Sequence, residues 1–416
     1  MDNLVSISRK AILFSIAGLL SVSLLGSGCA PSRDFDSCLH SIVEPYRFSI
    51  ARWEFEALLG GEQSAVPGTV ADESVAEYFS LMERIAYLES KIEAIELGDR
   101  HDDPVSLEAE LKILAEQQAT LSDGVSRIVT GQIAEALSQQ GISHPLDGYL
   151  GRQAVFPPVD FRLEPPPYLL VVSPRYRIES VREITLQPSI SLEEIEAIEA
   201  GVDELDVSSL VVELGGFGGT YPTLVSNEAS LRFTIDTAVE EWLHQYLVFK
   251  PLGFLYLLDL IGVSRNYEIA TINETLAGMV SKEIGAVVYG KYYSDYESGA
   301  DQHQARQPEF DFDQEMREIR SQVDSYLARG EIEQAEVFME QRRQYLASMG
   351  HYIRKLNQAY FAFHGAYADR PTSISPIGQE LKELREQSAS LENFLNTVAA
   401  MTSRQDLRDS IKQPSD

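Results

Sequence analysis

Thr237-Ala238-Val239-Glu240-Glu241-Trp242-Leu243-His244-Gln245-Tyr246-Leu247 is the stretch on which the fold turns. Glu240 and His244 are four positions apart, and on an α-helix that spacing puts two side chains on one face, so both can reach one cation. Glu241 takes the next position along, from which it can address a water at that cation. Thirty residues beyond His244, Asn273-Glu274-Thr275-Leu276-Ala277-Gly278 supplies a carboxylate on a second expected helix, with Ala277 and Gly278 small enough for close helix contact. Trp242, Leu243, Tyr246, Leu247 and the run from Phe254 make this region deeply apolar. Consecutive glutamates are costly to bury there without a cation. A blander reading stands beside this one: Glu240 as the third residue of a capping box begun by Thr237, and His244 as a hydrogen-bonded core histidine.

Further along, Phe254 to Val263 is apolar but broken by Asp259 and too short to span a bilayer, so it reads as a buried helix. Helical pattern continues to about Tyr293, interrupted near Pro251–Gly253 and Val263–Asn266. A polar loop from Ser294 to Pro308 precedes long helices expected over Phe312–Arg329, Glu331–His364 and Gln379–Thr402. In the second of these Tyr360, His364 and Tyr367 stand at i, i+4 and i+7, one face with three polar tips among Phe361 and Phe363. Any of the three could donate to an oxyanion, and core packing with buried hydrogen bonds is the plainer role.

Upstream, Gly215-Gly216-Phe217-Gly218-Gly219 lacks the Lys-Ser/Thr of a phosphate loop and reads as a strand-to-turn device. Tyr168–Val172 and Leu210–Leu214 read as strands, and the latter, running on to Gly216, offers an edge to an extended peptide. Between them Ser191 and Glu194 mark the capping box of a helix over Ser191–Ala200. Before the proline-rich Pro157–Pro167 lie two helices, Ser74–Leu97 and Val105–Gln140, expected as a solvated hairpin arm, and an earlier helix over Pro45–Leu59 with a linker from Gly60 to Ala71. The class is mainly α with a small β-sheet, divided as 1–28, 29–72, 73–150, 151–225, 226–300 and 301–416. No second Glu-x-x-His exists for a di-iron bundle, and no Gly-x-Ser-x-Gly elbow for a serine hydrolase.

The Glu240 to Gly278 pattern resembles the gluzincin metallopeptidases, in which a His-Glu-x-x-His helix gives two ligands and a general base and an Asn-Glu-x-x-Ala-type helix gives the third ligand. Carried over residue by residue, the resemblance implies Glu241 as base, His244 as a ligand and Glu274 as the third. Glu240 stands where the family has its first histidine. A Glu/His/Glu set is harder and more anionic than the family's own, so zinc, manganese, iron or no metal are all open. The resemblance covers about 40 residues directly, and the whole chain is similar to bacterial aminopeptidase-type proteins. It implies hydrolysis of a peptide or protein substrate by water activated at the metal, with Glu241 moving the proton. The alternative is an inactive relative kept as a binding or scaffold lipoprotein; a coiled-coil lipoprotein unrelated to zincins is a third possibility.

Asp plus Glu number 64 against 34 Lys plus Arg, a net charge of −30 over 416 residues, which repels nucleic-acid phosphates. Arg9 and Lys10 precede an apolar run from Ala11 to Leu25 and the small residues Gly26-Ser27-Gly28-Cys29, the order of an export signal. Leu25-Gly26-Ser27-Gly28-Cys29 resembles a bacterial lipobox with Gly26 in an unusual place, which implies lipidation of Cys29. A signal anchor and plain secretion are the other outcomes, and each puts the body outside the cytoplasm. Cys38 is then an unpaired thiol, or the partner of Cys29 if no lipid is attached.

Overall fold

The computed structural model describes residues 34–49, 71–96, 104–144, 155–294, 296, 310–365, 368 and 375–411. The export segment, Cys29, Tyr367, and nearly all of the 60–71 linker and of the 294–308 loop lie outside them. The described chain is mainly α-helical with two three-stranded sheets.

The first sheet is antiparallel, with β2 (Tyr168–Pro174) between β3 (Arg182–Leu186) and β4 (Val207–Glu213). Alternation along β2 gives each face its own partner. Leu170 and Val172 pack with Ile195, Ile198 and Val202 of α4 (Leu192–Asp203) and with Leu39 and Val43 of α1 (Phe35–Val43). Val171 turns the other way, with Leu210, onto Ala359 of α10 (Gln358–His364). The Ser191 capping box forms as expected.

The helix expected over Pro45–Leu59 is not there in its described part. A 3₁₀ turn over Glu44–Tyr46 is followed by extended chain, because the free edge of β3 captures it: the Phe48 N–H donates to the Thr185 carbonyl (3.0 Å) and the Gln187 N–H to the Tyr46 carbonyl (2.7 Å). The second sheet, β1 (Phe161–Leu163), β6 (Thr223–Val225) and β5 (Gly216–Phe217), pairs β1 and β6 in parallel and β6 and β5 antiparallel.

Most of the core surrounds α5 (Leu231–Leu247), α6 (Pro251–Leu260) and α7 (Tyr267–Tyr292). The hairpin α2 (Ala71–Glu96) and α3 (Pro104–Gln139) is not the solvated arm expected of it. Val75, Tyr78 and Phe79 on α2 and Val129, Ile133 and Leu137 on α3 are buried in the same cluster as Trp242, Leu243 and Leu276. The apolar stripes are those the periodicity predicts, but the surface they cover lies more than a hundred residues further along the chain.

Ser230 caps α5 by accepting from the Phe233 N–H. That places Thr237 and Glu240 in the helix interior and rules out the capping box suggested for them. The close approach of α7 to α5 occurs at Gly285, where a Cβ would lie 1.7 Å from Asp236 Oδ1, and not at Gly278, where a Cβ would meet nothing within 4 Å.

Two of the three long C-terminal helices are each split. α9 (Ile332–Ser348) ends before Gly350, whose φ is +88°, and α10 restarts with Asn357 accepting from the Tyr360 N–H (2.9 Å). Ser390 separates α11 (Ile377–Gln387) from α12 (Leu391–Ala399) by capping the Asn393 N–H (3.0 Å). Short polar side chains that bond the backbone locally stop a helix that apolar periodicity alone would continue. α8 (Phe312–Ala328) and α13 (Arg404–Ser410) complete the chain.

Glu199 of α4 ties the sheet unit to the segment before α10. It is 4% exposed, accepts from Arg354 (2.6 and 2.9 Å) and from the Val211 N–H (2.7 Å), and lies 3.4 Å from Lys355. Burial works to raise its pKa, but Arg354, Lys355 and the Val211 amide outweigh burial and hold it below the usual glutamate value. Its contribution to stability is therefore complete above the unfolded value of about 4.3 and is lost as pH falls from there through the lower folded value. Glu199→Gln should destabilise the fold by about 2 kcal/mol in urea unfolding at pH 7. The difference from wild type should shrink below pH 4.

Candidate metal centre

α5 and α7 cross with their polar residues facing one another. One ligand atom each of Glu240, His244 and Glu274 lies within 4.8 Å of the other two; among the described residues no other group of acids, histidines and cysteines has this geometry. His244 Nε2 is 3.6 Å from Glu274 Oε2. Ligand atoms about 2.0–2.2 Å from a tetrahedral ion stand roughly 3–3.5 Å apart, so this pair is close to coordination spacing already.

The surroundings orient each group. On the far side of the imidazole, Nδ1 is 2.9 Å from Asn273 Oδ1. When Nδ1–H donates to that oxygen, the Nε2 lone pair is left facing Glu274, the tautomer and aim of a metal-ligating histidine. The Tyr256 hydroxyl of α6 donates to Glu274 Oε1, and its ring lies 5.8 Å from that of His244. The second oxygen, Oε2, is buried and accepts no hydrogen bond. A buried carboxylate oxygen without a donor is a large desolvation penalty left uncompensated. A cation between Oε2 and Nε2 would remove it, and two carboxylates with one imidazole suit a borderline or hard divalent ion such as zinc, manganese or iron. The residues present thus fit a metal.

Glu241 is held from a different direction. Its Oε2 accepts from the Gly218 N–H (2.8 Å) in the turn after β5. A Cβ on Gly218 would lie 2.6 Å from that oxygen and 3.1 Å from the Glu241 carbonyl, and one on Gly216 would lie 2.4 Å from Thr237 Cγ2. The turn can approach α5 only because both positions are glycine. Gln245 fastens the same turn, donating to the Gly218 carbonyl (3.3 Å) and to Thr223 Oγ1 (3.0 Å). Trp242 anchors the helix from its other side through Nε1–H to the Pro157 carbonyl (2.7 Å).

Burial pushes the Glu241 carboxyl above its usual range, with His244 opposing and Glu274 reinforcing the rise. Burial works to lower the His244 pKa, but the charges of Glu274, Glu241 and Glu240 and the contact with Asn273 overcome it. The imidazole holds its proton more tightly than usual.

Of the residues expected at the site, the structure brings together Glu240, His244 and Glu274, with Glu241 beside them. His364 is not among the converging ligands. Its ring lies 4.2 Å from Tyr360 and 5.0 Å from Phe363, on the helix that packs on the sheet unit. α10 ends at His364, so Tyr367 falls beyond the helix on which an i+7 face was expected, and outside the described residues. Tyr256 and the orienting role of Asn273 were missed. Asn273 stands beside Glu274 in the motif, but nothing in its spacing reports a partner 29 positions away; Tyr256 is the one hydroxyl within the apolar run Phe254–Val263.

No protein-family model, curated protein or solved structure matches this chain. The functional reading therefore rests on the site itself.

The arrangement predicts a binding measurement. Chelator-treated protein titrated with Zn²⁺ or Mn²⁺ should take up one ion per chain. Asn273→Ala, which removes the acceptor for Nδ1–H, should weaken binding by about 10–100-fold while the unliganded fold is kept. Equal affinity in the variant would remove Asn273 from the site.

Proposed function

We propose that this chain is a metal-dependent hydrolase of the gluzincin type, acting on peptide bonds, tethered by its N-terminal segment to a membrane and facing away from the cytoplasm. One observation carries the reading: Glu274 Oε2, buried and without a hydrogen-bond donor, lies 3.6 Å from His244 Nε2, with Glu240 completing a set of three.

A divalent cation held by Glu240, His244 and Glu274 would supply a Lewis acid that polarises a peptide carbonyl and acidifies water. Glu241 then acts as the proton carrier. Its pKa, raised by burial, makes it a stronger base than an ordinary glutamate, which suits a group that takes a proton from water and returns it to the leaving amine. The Gly218 N–H keeps one carboxylate oxygen occupied, so the other, Oε1, is the one free to work. Tyr256 acts as a positioning residue: by holding Glu274 Oε1 it leaves Oε2 aimed at His244.

An inactive scaffold is the second reading. It is favoured by Glu240 standing where the resembled family has a histidine, which adds a negative charge to the ligand set. The same experiment separates the two. Purified full-length protein is analysed for bound metal and assayed on a mixed peptide library, as wild type and as Glu241→Gln. The hydrolase reading expects about one ion per chain in both proteins and a loss of cleavage of about 10²–10⁴-fold in the variant. Gly218→Ala should fall between them, since its Cβ displaces the carboxylate it now holds. Protein that takes up no metal at micromolar supply and cleaves nothing would leave the scaffold.

A further inference from the structure

α6 is apolar on both sides. Inward, Leu252 and Asp259 are buried and Leu255 and Tyr256 pack on the main core. Outward, Phe254, Leu257, Leu258 and Ile261 recur at i, i+3, i+4 and i+7 and make a stripe along the helix. Phe254 is 51% exposed and Ile261 42%; Leu257 and Leu258 are half-buried. Leu260 and Val263, at 48% and 69%, carry the apolar surface round the turn to α7, which Gly262 closes at φ +73°. The helix expected to be buried over Phe254–Val263 is thus buried on its inner face alone. A run of exposed large apolar side chains along one helix and its following turn, in a chain with net charge −30, marks a contact surface.

The way the chain enters the fold indicates what that surface meets. Arg177, Ile178 and Glu179 of the β2–β3 turn and Tyr267 and Glu268 at the start of α7 line one cleft of about 390 Å³. The β2–β3 hairpin and the α6–α7 turn are therefore neighbours. Arg182, the first residue of β3, pairs with Asp36 in the first turn of α1 at 2.9 Å. Phe35 stands only six positions after Cys29 and ten after Leu25, the end of the export-type apolar run. Six extended residues reach roughly 20 Å. Lys250 before α6 and Arg265 after it give the apolar segment a cation at each end, as on helices that lie in a lipid interface.

We propose that the outer stripe of α6 and the α6–α7 turn, Leu260 to Val263, form a bilayer-docking surface that seats the body on the membrane to which the N-terminal segment attaches it. The partner is a lipid surface that accepts apolar side chains at its headgroup boundary; the acidic body makes a zwitterionic surface the better match. The proposal rests on the export-type N-terminal segment and on exposure at α6. It stands whether or not the metal centre hydrolyses peptides.

The test uses the full chain, reconstituted from detergent into phosphatidylcholine vesicles with plain or brominated acyl chains. Val263→Trp is compared with Tyr352→Trp, a position 85% exposed outside this surface, after subtraction of the wild-type tryptophan emission. The added tryptophan at 263 should shift to the blue on reconstitution and be quenched about twofold by brominated lipid, as expected for side chains about 5–10 Å into the boundary. The one at 352 should do neither. Equal responses at the two positions, or no vesicle association, overturn the proposal. A blue shift at 263 without lipid, with light scattering reporting a dimer, also overturns it by assigning the surface to a second copy of the chain. Circular dichroism of both variants checks that the fold is kept.

Discussion

Three carboxylates and an imidazole crowd one crossing of two buried helices, and much of the surrounding structure serves to make that tolerable. Two ionised carboxylates in this set would carry −2 between them, and a protonated imidazole would remove only half of it. A divalent cation with neutral imidazole would bring a ligand set of two ionised carboxylates to zero. Without the ion, the raised His244 pKa is the best the protein alone can do: the imidazole keeps its proton because three acids surround it. Buried like charges at this density are otherwise disfavoured.

Bringing two helices together around such groups is easier where other buried polar groups find partners. α7 satisfies its buried threonines internally: Thr271 Oγ1–H donates to the Tyr267 carbonyl (2.8 Å) and Thr275 Oγ1–H to the Thr271 carbonyl (2.6 Å). Both residues are fully buried. Arg232 of α5 holds Asp236 at 3.0 Å beside the Gly285 contact and also donates to the Lys282 carbonyl of α7 (2.9 Å), so the crossing is tied by a cation as well as by packing. Three buried polar atoms at the crossing have no hydrogen-bond partner, Thr234 Oγ1, Asn273 Nδ2 and Glu274 Oε2, and of these only the Glu274 oxygen belongs to a group that can carry charge and lies in the converging set.

The legibility of this chain in its sequence followed the range of the interactions involved. Helical periodicity is local, and the helices α2, α3, α5 and α7 were readable from it, as was the Ser191 cap, whose whole motif spans four residues. The Glu240, Glu241, His244 and Glu274 set was readable because spacing on one helix and a recognisable second motif both report it. What failed depended on distant partners. Nothing in Pro45 to Ser49 reveals that the edge of β3 will draw it out of a helix, and nothing in the periodicity around Tyr360 reveals that its helix ends at His364. Gly278 looked like the point of helix contact because it sits in the motif; the actual point, Gly285, lies two turns on, against an aspartate 49 positions earlier.

α6 serves the candidate site with its inner face and presents the exposed apolar stripe with its outer one. A ten-residue helix with no lysine, arginine or glutamate, its single acid buried, is an expensive surface element unless both faces have work. Inward, Tyr256 sets the orientation of Glu274, which requires the helix to be fixed against α5; Gly253 permits this, since a Cβ there would lie 2.1 Å from the Leu247 carbonyl oxygen. Outward, Phe254 and Ile261 have no such demand upon them, and a soluble helix would place polar residues there. If a lipid surface takes that stripe, one short helix fixes both the ligand carboxylate and the height of the metal centre above the bilayer.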